Sequence, residues 1–211
     1  MLILGGICPK QNQSQPRALW VNILYDAVQL VLTIACANSQ IQTLFPMNFP
    51  TSTVYTKTTS PLGSVILSAT DIGLSGIWFD GQKHLPPYKD WQLSSNNAYL
   101  LQAKNSLQAY FSNKTKRFDI PLDLHAGTAF QQQVWLALLK IPYGRTVTYR
   151  EISQYIGAPS SVRAVAGAVG RNPLSIMVPC HRVIGSNGTL TGYAGGLDRK
   201  LALLTLEGAC T

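Results

Sequence analysis

From Thr53 onward, short β-branched and aromatic runs alternate with turn residues. Val54-Tyr55-Thr56, Gly63 to Ala69 and Gly73 to Phe79 are separated by Ser60-Pro61 and by Asp71 to Gly73, which predicts a small antiparallel sheet. Asn97 to Phe111 carries Leu100, Leu101, Leu107, Tyr110 and Phe111 at helical spacing and predicts one helix; Phe118 to Leu122 reads as a last extended piece. After Ala126 the period becomes helical. Thr128 is placed to cap a helix with an apolar face of Phe130, Val134, Trp135, Leu138 and Leu139, ended by Pro142, and Tyr143-Gly144-Arg145 makes the turn. Thr148 and Glu151 have capping-box spacing and open a short helix with Ile152, Tyr155 and Ile156 inward and Gly157 as its stop. Pro159-Ser160-Ser161 starts another, with Val162, Val165, Ala166 and Val169 on one face, so the pair reads as a helix-turn-helix.

Residues 1–46 are of a different character. Leu19 to Ala37 is apolar but interrupted by Asn22, Asp26 and Gln29, which makes a poor membrane span, and its resemblance to a signal peptide is weak. The expectation is that the functional chain begins near Met47 and that the preceding segment is an upstream extension.

Composition narrows the classes. With 46% hydrophobic and 12% charged residues the chain is globular and not disordered, and its net charge of +8 favours an anionic partner, nucleic acid before acidic lipid. Beyond Ala126 there are eight Lys and Arg residues against three Asp and Glu, so the anion site is expected in the C-terminal part. Cys8, Cys36, Cys180 and Cys210 show neither CxxC pairing nor histidines at ligand spacing, so no disulfide framework and no metal site are expected.

The chemistry is concentrated in Ile176 to Ile184, where Cys180 and His181 stand side by side in an apolar run. A cysteine in such surroundings is normally an inert core residue; a neighbouring base changes that by drawing off the proton to give a thiolate. A working thiolate needs a reducing compartment, so the cytoplasm is expected. The helix beginning near Val162 has a second unusual face, on which Arg163, Gly167, Gly170 and Arg171 recur at helical spacing. Each glycine costs a helix about 1 kcal/mol relative to alanine. Two explanations are open, tight packing against another helix or close approach to a DNA groove with an arginine inserted, and the basic charge favours DNA.

Ile141-Pro142-Tyr143-Gly144, Arg163-Ala164-Val165, Arg171-Asn172-Pro173, the PCHRVI run within Ile176 to Ile184, Gly192-Tyr193-Ala194-Gly195-Gly196 and Leu206-Glu207-Gly208 share their order and spacing with one family. The chain resembles the O6-alkylguanine-DNA alkyltransferases, densely over residues 127–208 and loosely over 53–121. The resemblance implies that Cys180 is the alkyl acceptor, that His181 takes its proton through a water, and that Glu207 orients the imidazole. It implies that Asn172 braces the active-site turn and that Tyr149 donates a proton to the leaving guanine oxygen. Arg163 matches the residue that fills the space of a flipped nucleotide, with Ala164, Gly167 and Arg171 on the same DNA-facing helix. Val183, Tyr193 and Ala194 resemble walls of the base pocket.

The implied partner is double-stranded DNA carrying O6-alkylguanine or O4-alkylthymine, bound through the minor groove with nucleotide flipping by a monomer. Transfer would occur once per molecule, without cofactor or metal and without a membrane. Ala194 stands where some members have serine, so tolerance of bulky adducts and of O4-alkylthymine is expected to differ. Rival readings are a winged-helix regulator, which would not need Cys180, His181 and Glu207 together, and a Cys-His hydrolase, for which no oxyanion hole is evident. Non-catalytic relatives lack the acceptor cysteine that is present here. The expected architecture is mixed α+β: a ribonuclease-H-like sheet and helix over residues 47–125, then a winged-helix (helix-turn-helix) domain over 126–211.

Overall fold

Strands β1 (Val54–Ser60), β2 (Gly63–Ala69) and β3 (Leu74–Phe79) form the antiparallel meander that the alternation predicts, in a computed structural model that describes residues 47–209. The expectations for residues 1–46 and for Cys210 lie outside the described residues. A two-residue strand, β4 (Gln92–Leu93), joins β1 in parallel and gives the order β3-β2-β1-β4. Because successive strand side chains point to opposite faces, the sheet fills two cores. Val65, Leu67, Leu74, Ile77 and Phe79 enter the main one, while Ile66 and Trp78 join Tyr88 on the other face under Phe49, Tyr55, Leu85 and Trp91.

Helix α1 (Ala98–Phe111) is capped by the Asn97 side chain, which accepts from the N–H groups of Tyr99 and Leu100. It lays Leu100, Ala103, Leu107 and Tyr110 into the main core; Leu101, expected on that face, is 47% exposed. The extended piece predicted at Phe118 to Leu122 reduces to a single parallel bridge between Leu74 and Leu122. Pro121 can accept from Leu74 N–H at 2.9 Å but has no N–H with which to continue a ladder.

Two capping boxes fix the next helices: Thr128 with Gln131 at α2 (Ala129–Leu138), and Thr148 with Glu151 at α3 (Tyr149–Tyr155). Helix α2 ends at Leu138, ahead of Pro142, and Leu139 is 39% exposed instead of joining the apolar face. Tyr155 is likewise 66% exposed: the seven-residue α3 turns Ile152 inward and leaves its last residue outside. Helix α4 (Val162–Gly170) is held on α2 by the buried Trp135 indole N–H, which donates to Ala168 O at 2.9 Å. Strands β5 (Val147–Thr148) and β6 (Val183–Ile184) pair in parallel, and α5 (Leu197–Leu206) closes the described chain.

One core runs from the sheet through Val134, Trp135, Val165 and Val178 to Leu203. The seam between sheet and helices is also bonded through backbone. Ile77 N–H donates to Pro173 O at 2.8 Å and Ser175 N–H to Ile77 O at 3.0 Å, so residues 173–175 lie along the free edge of β3. That edge positions the segment leading to Cys180.

Candidate active site

Between α4 and Cys180 every residue from Asn172 is buried, and Ile176 is held at φ +74°. A left-handed conformation in a β-branched residue costs on the order of 1–3 kcal/mol and persists only where its surroundings enforce it. Asn172 supplies much of that enforcement. Its Oδ1 accepts from Leu174 N–H at 3.0 Å, and its Nδ2 donates to Val178 O at 2.8 Å and to Cys180 Sγ at 3.0 Å. Cys180–Arg182 then forms a 3₁₀ turn. Successive side chains in such a turn, with three residues per turn, are still about 120° apart, so Cys180 and His181 diverge.

Burial pushes the Cys180 thiol above its ordinary range, against the opposing pull of the Asn172 hydrogen bond and the Lys200 charge. His181 is fully buried, and burial lowers its basicity although Glu207 opposes the shift. Its Nε2 lies 2.9 Å from Glu207 Oε1. Burial alone would raise the Glu207 carboxyl, but hydrogen bonds from His181 and Arg182 outweigh it and hold the group well below the usual carboxylate range. An ionised Glu207 places the imidazole proton on Nε2 and leaves Nδ1, which has no hydrogen-bond partner among the described residues, as the basic nitrogen.

Glu207 is the most heavily bonded group in the site. Oε1 also accepts from Tyr110 Oη–H at 2.7 Å and Arg182 Nη2 at 2.9 Å, and Oε2 accepts from Arg182 Nε at 2.8 Å and Gly144 N–H at 3.2 Å. Gly144 sits at φ +72°, and a Cβ there would come within 2.8 Å of the Glu207 carbonyl oxygen, so the turn after α2 needs glycine on both counts. Arg182 also donates to Ile141 O at 2.6 Å, tying the Cys180–Arg182 turn to the same loop.

The Tyr149 hydroxyl reaches the carbonyls of Thr191 and Gly192, both at 3.3 Å, and burial keeps its phenol protonated. Burial, and then the neighbouring Cys180, do the same for Tyr193. Cys180 adds to the upward shift of both tyrosines. Ala194 is half-buried, and its carbonyl accepts from Lys83 N–H at 3.1 Å. Val183, expected as a pocket wall, is fully buried in β6, and its carbonyl accepts from Lys200 Nζ. Lys200, itself fully buried, also donates to Thr191 O at 2.7 Å and so closes the 183–191 loop beside the site.

Lys200, Arg182 and Tyr110 carry no role in the sequence reading. Lys200 had a legible signal: Lys200, Leu203, Leu204 and Glu207 recur at the spacing of one helix face, and all four are buried. Tyr110 was legible only as an apolar helix position.

On α4, Arg163 is exposed, Ala164, Gly167 and Gly170 are partly buried, and Arg171 folds back to donate to Gly167 O at 3.3 Å. A Cβ at Gly170 would meet nothing within 4 Å among the described residues, and one at Gly167 only the Arg171 guanidinium at 3.4 Å. Packing among the described residues therefore does not require these glycines. Among the described residues no group of three or more His, Cys, Asp or Glu side chains could hold a metal ion, and no helix is long and apolar enough to cross a membrane.

Residues 53–124 match the ribonuclease-like domain of the 6-O-methylguanine DNA methyltransferases, and residues 129–209 match the DNA binding domain of the same family. A methylated-DNA–protein-cysteine methyltransferase of Methanosarcina acetivorans is 48% identical over 152 residues, covering 72% of this chain and 96% of the relative. One from Mycobacterium leprae is 49% identical over 148 residues, covering 70% and 88%. The crystal structure of Mycobacterium tuberculosis OGT in complex with DNA superimposes with a TM-score of 0.67 at 45% identity, covering 74% of this chain and 93% of that one.

Proposed function

Because the chain belongs to the 6-O-methylguanine DNA methyltransferase family, we propose that it repairs alkylated DNA by direct reversal, moving the alkyl group from guanine O6 to its own Cys180. The observation that carries this reading is a single buried thiol held at 3.0 Å by Asn172, with a buried imidazole–carboxylate pair on the adjoining residue. An alkyl group on O6 lies inside the duplex, so the nucleotide must be extruded, at an unstacking cost of about a few kcal/mol that weakened pairing at the lesion reduces. His181 Nδ1 takes the thiol proton through a water. The thiolate attacks the alkyl carbon; the S–C bond forms as the C–O6 bond breaks, and the electron pair stays on the guanine oxygen. Tyr149, kept protonated by burial, supplies the proton that makes this oxygen a better leaving group. Lys200 favours the thiolate by its charge. The product is a thioether with no second thiol beside it among the described residues, so each molecule turns over once.

DNA approaches through the minor groove along α4, with Arg163 filling the space of the flipped nucleotide and Ala164, Gly167 and Arg171 against the groove. The open space at Gly170 supports this over internal packing. Gly170→Ala is expected to raise stability by up to ~1 kcal/mol through helix propensity while weakening duplex binding. Urea melts and fluorescence anisotropy read the two effects separately; a loss of stability with unchanged binding would return the glycine to a packing role. Tyr193 and Ala194 line the base pocket, Val183 backs it, and the protein acts as a cytoplasmic monomer. The division into a sheet domain over 47–125 and a winged-helix domain over 126–211 follows the same reading.

The transfer is tested by mixing purified protein with excess duplex containing one O6-methylguanine. Expected is guanine restored in an amount equal to the protein and no more, with each molecule gaining the mass of one methylene on Cys180. Tight binding without mass gain would leave a damage-recognition protein instead.

A further inference from the structure

Several contacts join the sheet-bearing half of the protein to the surroundings of Cys180. β3 pairs with residues 173–175, Lys83 N–H donates to Ala194 O, and α1 sends the Tyr110 hydroxyl to Glu207 Oε1 at 2.7 Å. The first two are backbone contacts. The third is a side chain that donates a hydrogen bond to the same oxygen that accepts from His181 Nε2.

Tyr110 is fully buried, and its ring packs edge-on against Phe111 and Tyr143 and tilted against Phe118. Phenylalanine would keep all of that packing, so packing does not explain the hydroxyl. Nor does Glu207 lack partners, since its oxygens already accept from His181, from two Arg182 nitrogens and from Gly144. Burial, and then the Glu207 charge, push the phenol far above its ordinary range, so it remains a donor at every working pH. A neutral donor on one carboxylate oxygen does two things: it fixes the carboxylate's rotation, and it draws negative charge away from the imidazole sharing that oxygen.

We propose that Tyr110 is a positioning residue of the alkyl transfer, acting through Glu207: its hydroxyl orients the carboxylate and sets how strongly His181 holds a proton. The inference rests on the transfer to Cys180 proposed above. It gives the sheet-bearing half a part in the chemistry, although the thiol, imidazole and carboxylate all come from the other half.

The test is single-turnover transfer by the full chain from an O6-methylguanine duplex, followed across the pH range in which His181 titrates, for wild type, Tyr110→Phe, Glu207→Gln and the double variant. Tyr110→Phe is expected to slow transfer by about tenfold. With one donor fewer, Glu207 holds the imidazolium more tightly, so the acid limb of the pH profile moves to higher pH. 3-Fluorotyrosine at position 110 keeps the ring packing with a stronger donor and moves the limb the opposite way. In the Glu207→Gln background, Tyr110→Phe is expected to add no further loss, because its path runs through the carboxylate. An acid limb unmoved by both replacements, or a loss that adds fully to that of Glu207→Gln, overturns the role of Tyr110 alone. A wild type that never gains the methyl group overturns the transfer reading with it.

Discussion

Cys180→Ala is expected to bind an O6-methylguanine duplex, leave the lesion unrepaired and gain no mass. The side chain is the alkyl acceptor itself, so its removal deletes the bond-forming atom, and no neighbouring group in the site is a comparable nucleophile at neutral pH. His181 is neutral and buried, but its basic nitrogen serves the proton, while the phenols of Tyr149 and Tyr193 are held protonated by burial. The loss is expected to leave the fold intact. Asn172 Nδ2 keeps Val178 O at 2.8 Å when Sγ is gone, so the amide is not stranded and the turn that holds Ile176 at positive φ keeps its brace. The stability change is expected to be about 1 kcal/mol, the scale for removing one buried heavy atom. Intact mass, quantified lesion and a urea melt on the same preparation check all three statements; transfer to any other residue would displace Cys180 from its role.

Glu207→Gln is expected to damage both folding and chemistry. Arg182 is buried and bonded to the carboxylate through two nitrogens, so neutralising the acid leaves a guanidinium without its counter-charge, at a cost of about 3–5 kcal/mol. His181 loses the charged acceptor that fixes its tautomer, and transfer is expected to fall by about a hundredfold. The pH dependence follows from the directions of the shifts. Glu207 titrates far lower in the folded protein than in the unfolded chain, so its stabilisation is present above the unfolded value near about 4.3 and is lost as pH falls toward the folded one. His181 is shifted down as well, so acid also draws protons preferentially onto the unfolded chain from about pH 6.5 downward. Wild type is thus expected to lose stability in acid. Its advantage over Glu207→Gln is expected to be largest at neutral pH and to shrink below about pH 4. Urea titrations of both proteins at neutral and acid pH measure the difference, and an advantage constant with pH would remove Glu207 as the responsible group.

The elements were legible because their causes are local. Thr148 with Glu151 and Asn97 before Ala98 form caps within one turn of chain, and the β-branched run of Gly63 to Ala69 is complete within seven residues. Where local reading went astray, the length of an element was at fault except at Leu101, which lies inside α1 beside its buried stripe. Tyr155 and Leu139 fit a helical period but fall at or beyond the ends of short helices, and Pro121 stopped a strand that composition had favoured. Cys180, His181 and Glu207 were legible as a group through a run of motifs at fixed separations, and the open face of α4 through two glycines that a helix would otherwise avoid. What only the tertiary structure decided is which polar groups those residues meet. Tyr110 lies 97 residues from Glu207 in the chain, and Ile77 is bonded to a segment nearly a hundred residues later. The sequence marks both Tyr110 and Ile77 simply as apolar positions on a helix and a strand. A hydrogen bond between distant segments is fixed by how the sheet, α1 and α5 pack around one continuous core, and that packing follows from volumes filled jointly, which no window of sequence contains.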